Sequence, residues 1–219
     1  MTRKKKLRYA MSLRRKNAIL AAFFLLVLPL LVFVDRRNSE PVRSAVKRYF
    51  YAGPDRQKYH ERKYRVAEVI DGDTVDLDIP DGKYDHTRVR LLGVDTPETK
   101  DPRQKEVMYF GPEASEYTTS LCLNKPVTVL LDTVSKERDR YGRLLAYLRL
   151  DDGRVINEEL VRNGLGYADS RFDHSFFDKY AKLQKEAIRT KTGLWKEITK
   201  DKAPTWVKKE WVELMQQTN

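Results

Sequence analysis

Three short segments concentrate the side chains that could handle a phosphoryl group. Asp71-Gly-Asp73-Thr puts two carboxylates at a turn. Arg90-Leu-Leu-Gly-Val-Asp95-Thr96-Pro-Glu98 sets a guanidinium at one end of an apolar stretch and two carboxylates just past the other. Asp139-Arg-Tyr141-Gly-Arg143 adds a second guanidinium and an aromatic face. The arginine fork meets phosphate oxygens through paired hydrogen bonds, while carboxylate and carbonyl oxygens are the ligands a hard cation such as calcium takes. Together the segments describe one coherent phosphoryl site. Singly, each has a plainer reading: a hairpin turn for Asp-Gly-Asp-Thr, a turn for Thr96-Pro97, a surface loop for 139–143.

Rival chemistries find no support in the sequence. His60, His86 and His174 have no metal-ligand spacing and are expected to be solvated or turn histidines. No arrangement resembles a Ser-His-Asp triad or a glycine-rich phosphate loop. Cys122 is the only cysteine, so neither an intramolecular disulfide nor a thiolate cluster is available, and between Leu121 and Leu123 it reads as an inert core thiol.

The elements that must position these residues follow from periodicity. Val75, Leu77 and Ile79 alternate with Asp76 and Asp78 before a Pro-Asp-Gly turn, so period two aims Asp73 at the inner face of a strand's end. Further strands are predicted over 87–94, 126–131 and 143–149, with 154–156 a weaker candidate. Strict alternation would put Arg90 and Asp95 on opposite faces, so their convergence requires a bulge or bend, for which Gly93 is the obvious place. Helices are predicted over 112–123, opened by Pro112; over 157–163, between Asn157 and Gly164; and over 175–191, with Ser175 and Asp178 in capping-box spacing. Five strands and three helices suggest a small barrel packed by helices.

Charge places the appendages rather than the site. The formal charge of +11 resides almost wholly in residues 1–62, with 16 Lys/Arg against 4 Asp/Glu, whereas 63–219 hold 27 against 28. Bulk charge is therefore no argument for nucleic-acid binding by the globular part. Residues 18–34 form an unbroken apolar run that spans about 25 Å as a helix, the low end of a bilayer crossing. The preceding 17 residues carry eight Lys/Arg and no acid, and no small-x-small cleavage site precedes Asp35. These features favour an uncleaved signal anchor over a removed signal peptide, with a cytoplasmic N-terminus and the domain on the extracytoplasmic side. The segments read as a basic N-terminus (1–17), a transmembrane anchor (18–34), a basic juxtamembrane linker (35–63), a folded domain (64–197) and a tail (198–219) of unassigned use.

Val69-Ile-Asp-Gly-Asp-Thr-Val75, Arg90-Leu-Leu-Gly-Val-Asp-Thr-Pro-Glu-Thr-Lys100, Phe110-Gly-Pro-Glu-Ala-Ser115, Tyr141-Gly-Arg143, Asn157-Glu-Glu-Leu-Val-Arg-Asn-Gly-Leu165 and Gly193-Leu-Trp195 resemble the staphylococcal nuclease family, in the same order. The resemblance implies an α+β, mainly β fold: a five-stranded OB barrel with three helices, here preceded by one transmembrane helix. It implies a Ca2+ site of Asp73, Asp95 and the Thr96 main-chain carbonyl, with Asp71 as an outer-shell acid. Glu98 would be the base that activates or orients water, Arg90 and Arg143 would bind the phosphate and its developing charge, and Tyr141 would lie beside the nucleotide. The family hydrolyses DNA and RNA, preferring single strands, and leaves 3′-phosphates. Two further family tyrosines match Ser170 and Phe172, which puts base stacking there in question. A monomer is expected. The alternatives are a non-catalytic, membrane-tethered nucleic-acid-binding OB module, and a membrane-associated interaction protein that uses residues 35–62 and the tail.

Overall fold

The computed structural model describes residues 53–99 and 107–216. The proposed anchor at 18–34 and Lys100 lie outside the described residues. Among those described, no helix is long and apolar enough to cross a membrane.

The chain runs α1 (Pro54–Tyr59), β1 (Arg62–Asp71), β2 (Thr74–Leu77), β3 (Thr87–Leu91), β4 (Val94–Asp95), α2 (Gly111–Cys122), β5 (Pro126–Leu130), β6 (Leu144–Arg149), α3 (Ile156–Arg162), β7 (Tyr167–Ala168), α4 (Phe177–Arg189), two short 3-10 turns (Gly193–Lys196 and Lys200–Lys202) and α5 (Thr205–Gln216). Five strands close a barrel in the order β1-β2-β3-β6-β5, and β4 with β7 forms a separate two-stranded ladder. This is the mainly β barrel with helices expected of an OB fold.

Closure depends on the ten-residue β1. Its first part, Arg62 to Arg65, pairs antiparallel with β5, and its second, Val66 to Asp71, pairs with β2. Register shifts between Val66 and Glu68 and between Val69 and Asp71 bend the strand between its two partners, as bulges do wherever a sheet curls on itself. One parallel pairing, Val89 to Leu91 against Leu144 to Ala146, seals β3 to β6. The interior is filled by Val66, Val75, Leu77, Val89, Val129, Leu144 and Leu148, all fully buried; each such aliphatic side chain contributes about 1.5–3 kcal/mol relative to exposure.

Helices α2, α3 and α4 begin and end within two residues of the expected limits. The start of α4 differs in mechanism. Its N-cap is Phe176, with no side-chain cap, and Ser175 is drawn away: its N–H donates to Asp132 Oδ2 at 2.8 Å and its hydroxyl to Oδ1. A buried carboxylate that also accepts from the Tyr147 hydroxyl at 3.0 Å outcompetes a local cap. The 154–156 stretch forms only an isolated bridge, Arg149 with Val155. The expectation of a solvated histidine fails at His174, which is buried and shares a 3.0 Å hydrogen bond with Tyr147. Cys122 is fully buried, its thiol donating to the Thr118 carbonyl at 3.1 Å, and burial pushes it up to about 12.

Residues flanking 64–197 contribute to the folded unit. Tyr59 of α1 is fully buried in the barrel core and hydrogen-bonds Thr87 at 3.0 Å. A second apolar cluster joins Tyr167, Ala187, Ile188, Leu194 and Trp195 to Ala203 and Val207.

Candidate active site

The site assembles where β1, β2, β3 and β4 end together. The backbone reverses at Gly72, between the two aspartates of the first segment. A Cβ there would sit 2.6 Å from Thr96 Oγ1 and 2.9 Å from the Ala114 Cβ, so the turn packs directly on the second segment and on α2. Asp71 Oδ1 accepts the Asp73 N–H at 3.1 Å, an Asx-type contact that fixes the turn. The second reversal is at Gly93, whose φ of +77° suits the one residue type without a Cβ penalty. This turn ends β3 and brings Asp95 back towards Arg90, as the sequence required.

Arg90 is the hub. Its Nη1 lies 2.6 Å from Asp73 Oδ2 and donates to the Val94 carbonyl at 2.7 Å; its Nη2 donates to Asp95 Oδ1 at 2.6 Å. Asp73 Oδ2 also accepts the Thr96 N–H at 2.7 Å and the Thr96 hydroxyl at 3.1 Å. Hence Asp73, Arg90, Asp95 and Thr96 form one hydrogen-bonded cluster. Burial raises the Asp73 carboxyl; Arg90 and the Thr96 N–H oppose the rise, and Asp71 and Asp95 add to it. Arg90 is held above its ordinary value: burial acts against it, but the fields of Asp73, Asp95 and Asp71 prevail.

Glu98 stands at the exposed edge of this cluster. Partial removal from bulk water raises its carboxyl, as do Asp71 and Asp95, against the pull of Arg90 and Arg143. Those five groups therefore share one electrostatic neighbourhood. The Glu98 backbone is pinned from the far side of the loop: its carbonyl accepts the Met108 N–H at 3.0 Å, and a Cβ on Gly111 would come within 2.6 Å of that oxygen. Arg143 reaches the site from the loop before β6. Asp139 accepts from its backbone N–H at 2.9 Å and its Nε at 2.7 Å, and Gly142 turns the loop at a φ of +82°. Tyr141 is 68% exposed, with Arg143 and Arg140 guanidinium carbons 5.6 and 4.7 Å from its ring centre. An exposed ring beside two cations is available for stacking. Phe172 is also exposed, with Arg171 beside its ring.

Two residues around Asp95 were not among those singled out from sequence. Arg171 Nη2 lies 3.0 Å from Asp95 Oδ1 and is held by Asp169 through Nε at 2.7 Å; Trp206 Nε1 donates to Asp95 Oδ2 at 2.8 Å. The signal for Trp206 was the helical spacing of Val207, Trp211 and Leu214 after Pro204. Arg171 carried no signal.

The donor set suits a hard cation. Two carboxylates, Asp73 and Asp95, and the Thr96 carbonyl would leave most coordination positions to water and substrate, as calcium tolerates; among the described residues no group of three or more His, Cys, Asp or Glu side chains is placed to hold a metal ion. Burial first, and then the negative charge of Asp71 and Asp95, raises the Asp73 and Glu98 carboxyls; a divalent cation would offset that negative charge.

A small closed barrel thus carries an acid–arginine cluster at the ends of its strands. The family described as "Staphylococcal nuclease homologue" matches residues 88–197. Thermonuclease of Staphylococcus hyicus is 39% identical over 137 residues, covering 62% of this chain and 77% of that protein. Thermonuclease of Staphylococcus intermedius is 40% identical over 139 residues, covering 60% and 75%. An uncharacterized endonuclease of Escherichia coli is 32% identical over 143 residues, covering 65% and 82%. The chain belongs to the staphylococcal nuclease family, and it is a nuclease.

Proposed function

We propose that the protein is a calcium-dependent endonuclease that hydrolyses DNA and RNA to 3′-phosphate products, prefers single strands, and acts as a monomer tethered to a membrane by residues 18–34 with its domain on the extracytoplasmic side. The observation that carries the catalytic part is the convergence of Asp73, Arg90, Asp95 and Thr96 in one cluster, with Glu98 under the field of Arg90 and Arg143. Asp73, Asp95 and the Thr96 carbonyl would hold Ca2+, with Asp71 behind them. Bound there, the ion supplies positive charge to the phosphodiester and to the attacking water.

The protein's own groups do the rest. Glu98, the exposed acid of the set, takes or orients the proton of the attacking water, and its raised carboxyl brings its basicity nearer to neutral pH. Arg143 is tied by Nε to Asp139, which aims its terminal nitrogens as a preset donor pair for the charge that develops on phosphate. Tyr141 offers its exposed face to a base. Arg90 has two duties. It also neutralises Asp73 and Asp95, so its removal would leave buried acids uncompensated, at a cost of about 3–5 kcal/mol in stability. Arg143, which pairs only with Asp139 among the described residues, is the cleaner probe of phosphate contact.

The tether rests on the 17-residue apolar run flanked by basic residues. Cleavage of end-labelled single-stranded DNA by the full chain in detergent, with calcium and with chelator, tests the reading. Calcium-dependent products bearing 3′-phosphates are expected. Binding without cleavage in calcium would instead make the chain a non-catalytic nucleic-acid-binding module.

A further inference from the structure

The C-terminal helix reaches a residue of the site. Trp206, at the start of α5, lies 111 positions beyond Asp95 and donates its indole N–H to Asp95 Oδ2 at 2.8 Å. The other oxygen of that carboxylate accepts from Arg90 Nη2 at 2.6 Å and meets Arg171 Nη2 at 3.0 Å. Three donors, from β3, the loop after β7 and α5, thus fix both oxygens of one side chain.

The ring is held as closely as its N–H. The Arg171 guanidinium carbon lies 4.7 Å from its centre, and Tyr167 presents an edge at 6.1 Å and 78°. Tyr167 is itself the cross-strand partner of Asp95 in the β4–β7 ladder. Val207 and Ala203, 1% and 3% exposed, bury the helix's footing, and Ser170 donates to Glu210 at 2.8 Å. Packing alone does not explain the indole's orientation. Trp195 belongs to the same apolar cluster, and its buried Nε1 finds no partner among the described residues. Trp206 spends its N–H on an acid.

We propose that Trp206 is a positioning residue of the nuclease site: carried by α5, its indole N–H holds the Asp95 carboxylate in the orientation in which it serves as a calcium ligand. The proposal rests on the ligand role of Asp95 advanced above. A ligand carboxylate fixed by outer hydrogen bonds needs no reordering when it takes a cation, and loss of such a partner commonly weakens metal affinity or activity by about 10- to 100-fold. Arg90 and Arg171 still hold Oδ1 when the indole is gone, so the low end, about tenfold, applies here. The tail is then part of the catalytic scaffold rather than an appendage.

Calorimetric calcium titration of the full chain in detergent tests this, alongside calcium-dependence and kcat and KM measurements on single-stranded DNA. Trp206→Phe keeps an aromatic ring and removes the N–H; it should weaken calcium binding about tenfold and raise the calcium needed for half-maximal rate equally, with KM for DNA at saturating calcium within twofold of wild type. Trp211→Phe, the same change on the same helix away from Asp95, should leave all three unchanged. Benzothienylalanine at position 206 preserves the bicyclic volume and lacks only the N–H, so it should behave as Trp206→Phe even if phenylalanine loosens the helix. Wild-type calcium affinity in the benzothienyl variant, or in a folded Trp206→Phe, overturns the positioning role alone. A wild-type protein that binds no calcium overturns the ligand assignment and this proposal with it.

Discussion

Asn157 offers the sharpest test of how the fold holds the site. It is fully buried at the start of α3, and its amide spans three backbone groups: Oδ1 accepts the Leu148 N–H at 3.1 Å, while Nδ2 donates to the Leu92 carbonyl at 2.9 Å and the Ala146 carbonyl at 3.0 Å. One side chain therefore ties α3 to β6 and to the turn that carries Asp95. In Asn157→Ala the Ala146 carbonyl keeps the Leu92 N–H at 3.0 Å, but the Leu148 N–H and the Leu92 carbonyl lose their side-chain partner. A buried orphan costs about 1–3 kcal/mol. Two of them set a loss of about 2–6 kcal/mol, a large share of the roughly 5–15 kcal/mol that holds a domain together. At about 2–4 °C per kcal/mol for a domain of this size, Tm should fall by roughly 4–24 °C. Urea unfolding followed by circular dichroism should give a lower midpoint with an unchanged slope. A loss below about 1 kcal/mol would refute the claim that Asn157 is the bracket of this corner, since it would mean the orphaned groups are readily satisfied otherwise.

Gly93→Ala combines a φ of +77° with a Cβ only 2.4 Å from His174 Cε1, so a destabilisation of about 2–4 kcal/mol is expected by thermal unfolding; a neutral substitution would mean the turn can relax. Acid should weaken the fold in two stages. Burial holds His174 below its ordinary value despite Asp132, Asp169 and Asp173, so the unfolded chain binds the extra proton first, and the stability from the neutral ring is full above about pH 6.5 and lost as pH falls below it. Tm should drop between pH 7 and pH 5, and less so in His174→Gln; equal slopes would oppose the assignment. Burial would raise Asp132, but bonds from Ser175, Val134 and Thr133 hold it low, so its contribution persists to below about pH 4 and is lost only as pH falls through its folded value. Arg143→Gln should lower kcat by about 10²- to 10³-fold with Tm nearly unchanged; a kcat within threefold of wild type would remove Arg143 from the reaction.

What the sequence made legible was local or periodic. Alternation from Val75 located β2 and turned Asp73 inward, but β2 stops at Leu77 and Asp76, expected outward, is buried against Arg88; the demand that Arg90 and Asp95 converge identified the Gly93 bend. Pro112 and Gly164 bracketed helices within a residue or two because those types act through their own backbone. What stayed hidden depended on partners far along the chain. Ser175 read as a cap because Ser-x-x-Asp is a local signal, and nothing in it discloses that Asp132, 43 residues away, would claim the hydroxyl. His174 read as solvated for the same reason. Arg171 and Trp206 joined Asp95 only through the β4–β7 ladder and the docking of α5. The three catalytic-type segments were recognisable by type and order, whereas the residues that steady them were not.

Glu98 is proposed to act on the attacking water at a site whose cation and phosphate grips are separate from it. The most direct measurement is single-turnover cleavage of single-stranded DNA by Glu98→Gln at saturating calcium, with calcium and DNA affinities determined on the same protein. The rate should fall at least about 10²-fold with both affinities within about threefold of wild type. A variant that cleaves at the wild-type rate while binding both would contradict it.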